Sequence, residues 1–268
     1  ANLTGLRKIL LKFIDKFIIF SCKKVYCDSE SQSIFISKEL CVKKIQIFGK
    51  GSISGVNINK FNITKQDALR NLIRINKPQS NNLLKFLENA KKNRYKIIFF
   101  VGRVNKDKGI QELIEGFKLH NKKFEDSYLL IIGPNELNKL DYSKLKKLRN
   151  CLHIEYFKDI NLILKFAFCL ILPSYREGFG SIIIEAAASK IPIIATDIPG
   201  PKDFITHMHN GYLIKPKDIQ DVKKALNFFR ENRDLIKEFA YNSFIKCRKY
   251  FSEDYVCNLF VNVIIKNI

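Results

Sequence analysis

What most constrains the fold of this chain is a regular exchange of apolar patterns that begins at residue 95. Continuous apolar runs, "YKIIFFVG" (95–102), "SYLLIIGP" (127–134), "LHIEYF" (152–157), "FCLILP" (168–173) and "IPIIATDI" (191–198), alternate with the helix-like stretches "IQELIEGFKLH" (110–120), "YSKLKKLRN" (142–150), "INLILKFA" (160–167) and "SIIIEAAASK" (181–190). Strands that are apolar at every position are buried on both faces, and their alternation with helices implies a doubly wound parallel sheet of the α/β class. Helical spacing continues over 218–231, 233–250 and 252–267.

The part before residue 95 reads differently. An amphipathic helix is expected over 4–22, a short strand over 24–29, a helix over "QSIFISKEL" (32–40) and another strand over 44–49. The segment "GKGSISGVNINKFN" (49–62) has the glycines and serines of a loop that makes close backbone approaches. The expected division is 1–62 as the end of a first α/β domain, 63–94 as a polar helical linker containing Pro78, 95–250 as the main domain, and 251–268 as a helix returning toward the first part.

Composition narrows the function classes. At 268 residues and 46% hydrophobic, the chain can bury a substantial core. The cysteines (Cys22, Cys27, Cys41, Cys151, Cys169, Cys247, Cys257) are scattered and form no CxxC pair, which argues against zinc and against a disulfide framework and fits a reducing cytoplasm. The apolar stretch "ILLKFIDKFIIF" is interrupted by Lys12, Asp15 and Lys16 and is too short to span a bilayer. A net charge of +21 points to anionic partners, although the lysines are spread along the chain and form no single block.

Ligands of an open α/β sheet sit beyond the carboxyl ends of its strands. Two loops there carry chemistry. In "VGRVNKDKG" (101–109), Gly102 precedes Arg103, whose planar fork suits phosphate oxygens, and Lys108 adds a point charge just before a helix. In "EGFGSIIIEAA" (177–187), Gly178 and Gly180 allow close backbone approach, and the N–H groups of Phe179, Gly180 and Ser181 open a helix as an anion site. Glu177 precedes that turn, and Glu185 lies about 6 Å along the helix from Ser181 at ~1.5 Å per residue. Acceptors on both sides of a donor-rich turn suit a ligand with hydroxyls at its ends and phosphate between them, as in a nucleotide sugar. Each loop has a plainer reading too: solvated charges in the first, a turn and an amphipathic helix in the second. A glycosidase carboxylate pair fits poorly beside an anion-binding turn. His207 and His209 in "THMHNGY" read as surface residues, so no metal site is expected.

Taken together, "PSYREGFGSIIIEAAASKIPIIATDIPGPKDFI…NGYLIKPKD", "VGRVNKDKG" and "GKGSISGVNINKF" resemble the retaining glycosyltransferases of family 4, also called glycosyl transferases group 1. Their hallmark of a glutamate, seven residues and a second glutamate is matched by Glu177 and Glu185. The resemblance implies the GT-B fold, two Rossmann-like domains across a cleft. It implies that the C-terminal one is complete here and that about a hundred further residues of the N-terminal one precede Ala1. By the same resemblance Arg103 and Lys108 hold the donor diphosphate and stabilise its departure, Glu177 binds donor-sugar hydroxyls, and Glu185 binds the ribose. Transfer would proceed with retention and without a required cofactor or metal, from a UDP-sugar in preference to a GDP-sugar. The acceptor would be a glycan or lipid-linked glycan of a bacterial surface polysaccharide. The chain departs from the family pattern at Lys190 and Phe157, where glycine is usual, and at Asn57, where aspartate is usual.

Other expectations follow from charge. The start "LRKILLKFIDKFIIFSCKK" has the make-up of a basic amphipathic helix that rests on anionic lipid at the inner face of the membrane, or else of a helix packed within the first domain. A basic nucleic-acid-binding module is the reading from charge alone; it lacks an interleaved aromatic and basic motif, so no specific nucleic acid is expected. A truncated, non-catalytic nucleotide-sugar-binding remnant and a sugar-nucleotide epimerase are the nearer alternatives.

Overall fold

The computed structural model describes residues 5–43, 45–52, 54–75 and 78–265. Residues 4, 44, 53, 266 and 267, at the edges of expected elements or within the 49–62 loop, lie outside the described residues. The chain opens with α1 (Leu6–Ser21), β1 (Tyr26–Cys27), α2 (Glu30–Leu40) and β2 (Gln46–Ile47), and the two strands form a small parallel sheet. Next come α3 (Ile58–Phe61), α4 (Lys65–Ile75) and α5 (Pro78–Lys92), with Pro78 beginning α5, where its missing N–H costs nothing.

The main sheet follows. It contains β3 (Lys96–Val101), β4 (Ser127–Ile132), β5 (Cys151–Ile154), β6 (Ala167–Leu172), β7 (Ile193–Thr196) and β8 (Tyr212–Ile214), all parallel, in the order β5-β4-β3-β6-β7-β8. The crossovers carry α6 (Ile110–Asn121), α7 (Lys139–Lys146), α8 (Ile160–Leu164), α9 (Ser181–Ala188) and α10 (Pro201–Phe204), and the chain closes with α11 (Ile219–Glu231), α12 (Arg233–Tyr250) and α13 (Glu253–Ile265). Ile98, Phe99 and Phe100 of β3 and Leu129, Leu130 and Ile131 of β4 are fully buried, as expected of strands covered on both faces. The doubly wound α/β expectation therefore describes the sheet. Three elements escaped the sequence reading: β8, α10 and the single turn α3, which lies in the segment read as a loop. Others moved: the helix expected over 142–150 runs Lys139–Lys146, started by the Asn138 side chain accepting from Asp141 N–H, and the one expected over 160–167 stops at Leu164 because Ala167 already belongs to β6.

The sheet order reverses between β3 and β6, which leave the sheet centre toward opposite edges. Their carboxyl ends therefore flank a crevice. The segment between β2 and α3 is tied to the junction of α12 and α13 by a pair of bonds: Val56 N–H donates to Phe251 O (2.8 Å) and Glu253 N–H to Val56 O (2.9 Å). Beyond it α13 returns over the small sheet, with the Phe260 ring 5.6 Å from that of Phe48. Two of the atypical residues fill their places without glycine or aspartate. Lys190 adopts φ 59°, the left-handed conformation for which glycine is the default, with its ammonium 4.5 Å over the Phe244 ring. Asn57 caps α3 by accepting from Lys60 N–H, as an aspartate would.

Candidate functional site

The two loops singled out in the sequence are those that follow β3 and β6, so both open onto the crevice at the sheet centre. After β3 the chain passes Gly102 and Arg103, and Asn105 then caps a single 3-10 turn, Lys106–Lys108, by accepting from Lys108 N–H at 3.0 Å. Gly109 ends that turn at φ 66°, where a Cβ would lie 1.9 Å from Pro173 O. Only glycine fits there, and its fit brings the first loop against the start of the second.

That contact assembles a charged pair. Lys108 Nζ donates to Glu177 Oε1 at 2.5 Å, and both side chains are largely buried, 17% and 9% exposed. Ser174 Oγ–H donates to the same carboxylate oxygen at 2.7 Å, and Gln32 of α2 donates from Nε2 to Glu177 O at 2.8 Å. Arg103 lies further out, with Nη1 3.3 Å from Glu136 Oε2, an oxygen that also accepts from Asn105 Nδ2 at 2.6 Å. Arg103 and Lys108 thus each have a carboxylate partner within their own protein.

Past Glu177, the Phe179 ring is buried against Phe251 (5.1 Å) and Phe204 (6.4 Å), which anchors the turn. Gly180 sits at φ 83° at the N-terminus of α9, and no side chain caps that end. The first-turn N–H groups of a helix have no intrahelical acceptor, so Ser181 and its neighbours offer donors and the positive end of the helix dipole. Glu185, one turn further, is half-buried, and burial pushes its carboxyl up to about 7 against the opposing effect of Lys60. The residues named from the sequence therefore occupy two adjoining loops and one helix start.

The surrounding partners were not visible in the sequence. Glu136, Asn105 and Ser174 are ordinary polar residues whose positions follow from the sheet. From the small sheet, Ser31 donates through N–H (3.1 Å) and Oγ (2.7 Å) to Asp203 Oδ2 and accepts from Gly200 N–H (3.1 Å). Asn105, Ser174, Asp203 and Lys60 lie within the quoted motifs, but nothing in the sequence assigned them these contacts. His207 is exposed and accepts from Leu213 N–H through Nδ1. Among the described residues no group of three or more His, Cys, Asp or Glu side chains is placed to hold a metal ion.

This architecture, a six-stranded parallel sheet with charged glycine-rich loops at its switch point, is that of the doubly wound, Rossmann-like α/β class. Residues 84–245 match the family described as Glycosyl transferases group 1, and the chain belongs to that family. It is 26% identical over 258 residues to the capsular polysaccharide biosynthesis glycosyltransferase CapM of Staphylococcus aureus, covering 94% of this chain and 64% of that protein. The chain thus spans less than two thirds of that relative's length. Among solved structures, HepE of Anabaena in complex with UDP and glucose superposes with a TM-score of 0.76 at 14% identity, over 95% of this chain and 66% of that one. The C-terminal domain of the group 1 glycosyl transferase LpcC of Francisella tularensis superposes with a TM-score of 0.58 at 26% identity, over 74% of this chain and 99% of that one. The fold is that of the GT-B glycosyltransferases.

Proposed function

We propose that this chain forms the donor half of a retaining glycosyltransferase that takes a sugar from a UDP-sugar and passes it to a glycan or lipid-linked acceptor in bacterial surface polysaccharide synthesis. The observation that carries the reading is the Lys108–Glu177 pair at 2.5 Å, set between the ends of β3 and β6 and next to the uncapped start of α9. Its chemistry matches the two parts of a nucleotide sugar. Lys108 and Arg103 supply cations for the diphosphate, the α9 N-terminus supplies N–H donors, and the Glu177 and Glu185 carboxylates accept from hydroxyls of the sugar and of the ribose.

The same arrangement would serve the catalytic step. As the bond between the sugar and the diphosphate lengthens, negative charge grows on the departing phosphate, and fixed cations and N–H groups stabilise it with little reorganisation. No side chain of this chain is assigned as nucleophile, and the reading requires no metal or organic cofactor. Support for UDP over GDP comes from HepE, which is described with UDP, and support for a polysaccharide product comes from CapM. The exposed apolar face of α1, with Phe13 and Phe17 among its residues, supports peripheral contact with an anionic membrane from the cytoplasmic side.

The test is calorimetric titration with UDP and with GDP, using Arg103→Ala and Glu185→Ala beside the unaltered chain. Micromolar UDP binding that both changes weaken at least tenfold is expected. A folded chain that binds neither nucleotide overturns the reading.

A further inference from the structure

A second cavity lies at the opposite end of the sheet. It has a volume of about 410 Å³ and is lined by Lys65, Lys96, Arg233 and Lys237, with Tyr95 and Phe168 among its aromatic walls and no acidic residue. Lys96 and Ala167 begin β3 and β6, whereas the donor loops follow the far ends of those strands. At ~3.3 Å per residue, a six-residue strand puts roughly 20 Å between the two sites.

Three features there share one sign. First, Lys96 is half-buried, and its ammonium is held below the usual lysine range by burial and then by Arg233, Arg230 and Lys65, with only Asp126 opposing. Among the described residues Lys65, Lys96 and Arg233 form no ion pair, while Lys237 pairs with Asp234 at 2.8 Å. Second, α12 starts at this cavity without a side-chain cap on its first N–H groups; its first-turn acid, Asp234, points to solvent and pairs with Lys237, which leaves Arg233 and the N–H groups facing the cavity side without an acid. Third, the side chain of Arg230 is only 9% exposed. Its Nη2 reaches both oxygens of Asp126 at 2.7 Å, yet its Nε and Nη1 have no hydrogen-bond partner among the described residues. Its guanidinium lies 5.8 Å over the ring of Phe168, which lines the cavity.

Converging cations cost free energy unless an anion joins them, and buried guanidinium donors left unpaired add to that cost. We propose that this cavity is a binding site for a phosphate-bearing molecule, distinct from the donor site, with the phosphate held by Lys96, Arg233 and the α12 N-terminus. The aromatic walls favour a phosphate attached to a ring or an apolar chain over a bare ion. The same group is presented by a soluble phosphorylated metabolite and by an anionic lipid headgroup. The site is independent of the donor reading.

The experiment compares two pairs of substitutions that remove equal charge in an Arg103→Ala background: Lys96→Ala with Arg233→Ala at the cavity, and Lys147→Ala with Lys224→Ala on exposed positions elsewhere. Each is titrated with pyrophosphate and sedimented with vesicles of phosphatidylcholine and phosphatidic acid, after circular dichroism has shown the fold. The cavity pair is expected to weaken binding at least tenfold more than the control pair. A selective loss in the pyrophosphate arm identifies a soluble ligand, and one in the vesicle arm identifies a lipid headgroup. If the two pairs behave alike in both arms, the attraction is that of net charge and the proposal fails. UDP titration of the same two pairs of substitutions made with Arg103 intact keeps this outcome separate from any failure of the donor site.

Discussion

Lys108 and Glu177, from loops 69 residues apart in the chain, meet at 2.5 Å and neutralise each other in a largely buried setting. Breaking one side leaves the other charge buried without its partner, which costs about 3 kcal/mol or more, whereas replacing both by neutral groups of similar size is close to neutral. Lys108→Ala is therefore expected to lower stability by roughly that amount, and the double variant Lys108→Met with Glu177→Gln to recover most of it without recovering UDP affinity. Urea unfolding and UDP titration on the same samples check both halves.

Glu185 predicts a pH dependence of unusual sign. Its carboxyl rises from 4.5 to about 7 in the folded chain through burial. The unfolded chain then ionises first, so stability falls as pH increases from 4.5 toward 7 and levels off above it. At about 1.4 kcal/mol per pH unit the loss is roughly 3 kcal/mol. Glu185→Gln is expected to flatten this slope and to be the more stable protein at pH 8. Urea midpoints between pH 5 and 8 measure it, and a slope unchanged by the substitution contradicts the burial argument.

Nucleotide affinity is expected to follow the same titration in the opposite direction. If Glu185 accepts from ribose hydroxyls, UDP binding strengthens between pH 6 and 8 as the carboxylate forms. Glu185→Gln removes that dependence. Calorimetry at several pH values is the measurement.

Gly109→Ala tests the contact between the two loops. A Cβ there lies 1.9 Å from Pro173 O, a backbone atom, at a φ of 66°. The substitution is expected to cost more than about 2 kcal/mol and to weaken UDP binding at least tenfold. An alanine variant with wild-type stability and affinity means that the loops move apart freely.

The exposed apolar side of α1 is expected to bind vesicles containing phosphatidylglycerol at low salt and to release them at high salt. Phe13→Ser with Phe17→Ser should abolish flotation. Vesicle binding that this pair leaves unchanged excludes α1 as the contact.

The sequence made the main sheet legible because its strands are apolar at nearly every position and are set off from the helices by glycine, proline and charged residues, even where a helix such as α9 is itself largely apolar. It missed β8, a three-residue strand whose Tyr212 and Leu213 are only partly covered, α10, a single turn begun by Pro201, and α3, a single turn within the segment read as a loop. All three are too short for any periodicity to emerge. The loops at the candidate site were legible through glycine and charge, and Gly109 and Gly180 do hold positive φ. Their partners were not. That Glu136 meets Arg103, or that Ser31 and Gln32 reach Asp203 and the Glu177 main chain, follows only from how distant segments come together. Nor did the +21 charge, read along the chain, reveal that Lys65, Lys96, Arg233 and Lys237 line one cavity.

The sheet order has a kinetic side. Ile98 of β3 pairs with Cys169 of β6, although β4 and β5 and their crossover helices lie between them in the chain. A nascent chain that has made only the β3-β4 unit has Lys108 but neither Glu177 nor the crevice. Closing so long a loop is entropically slow, and its reward comes only when β6 inserts. The nucleotide affinity proposed for this chain would thus be acquired late and all at once, and in a refolding experiment it would act as a clock for the moment the central pair of strands closes.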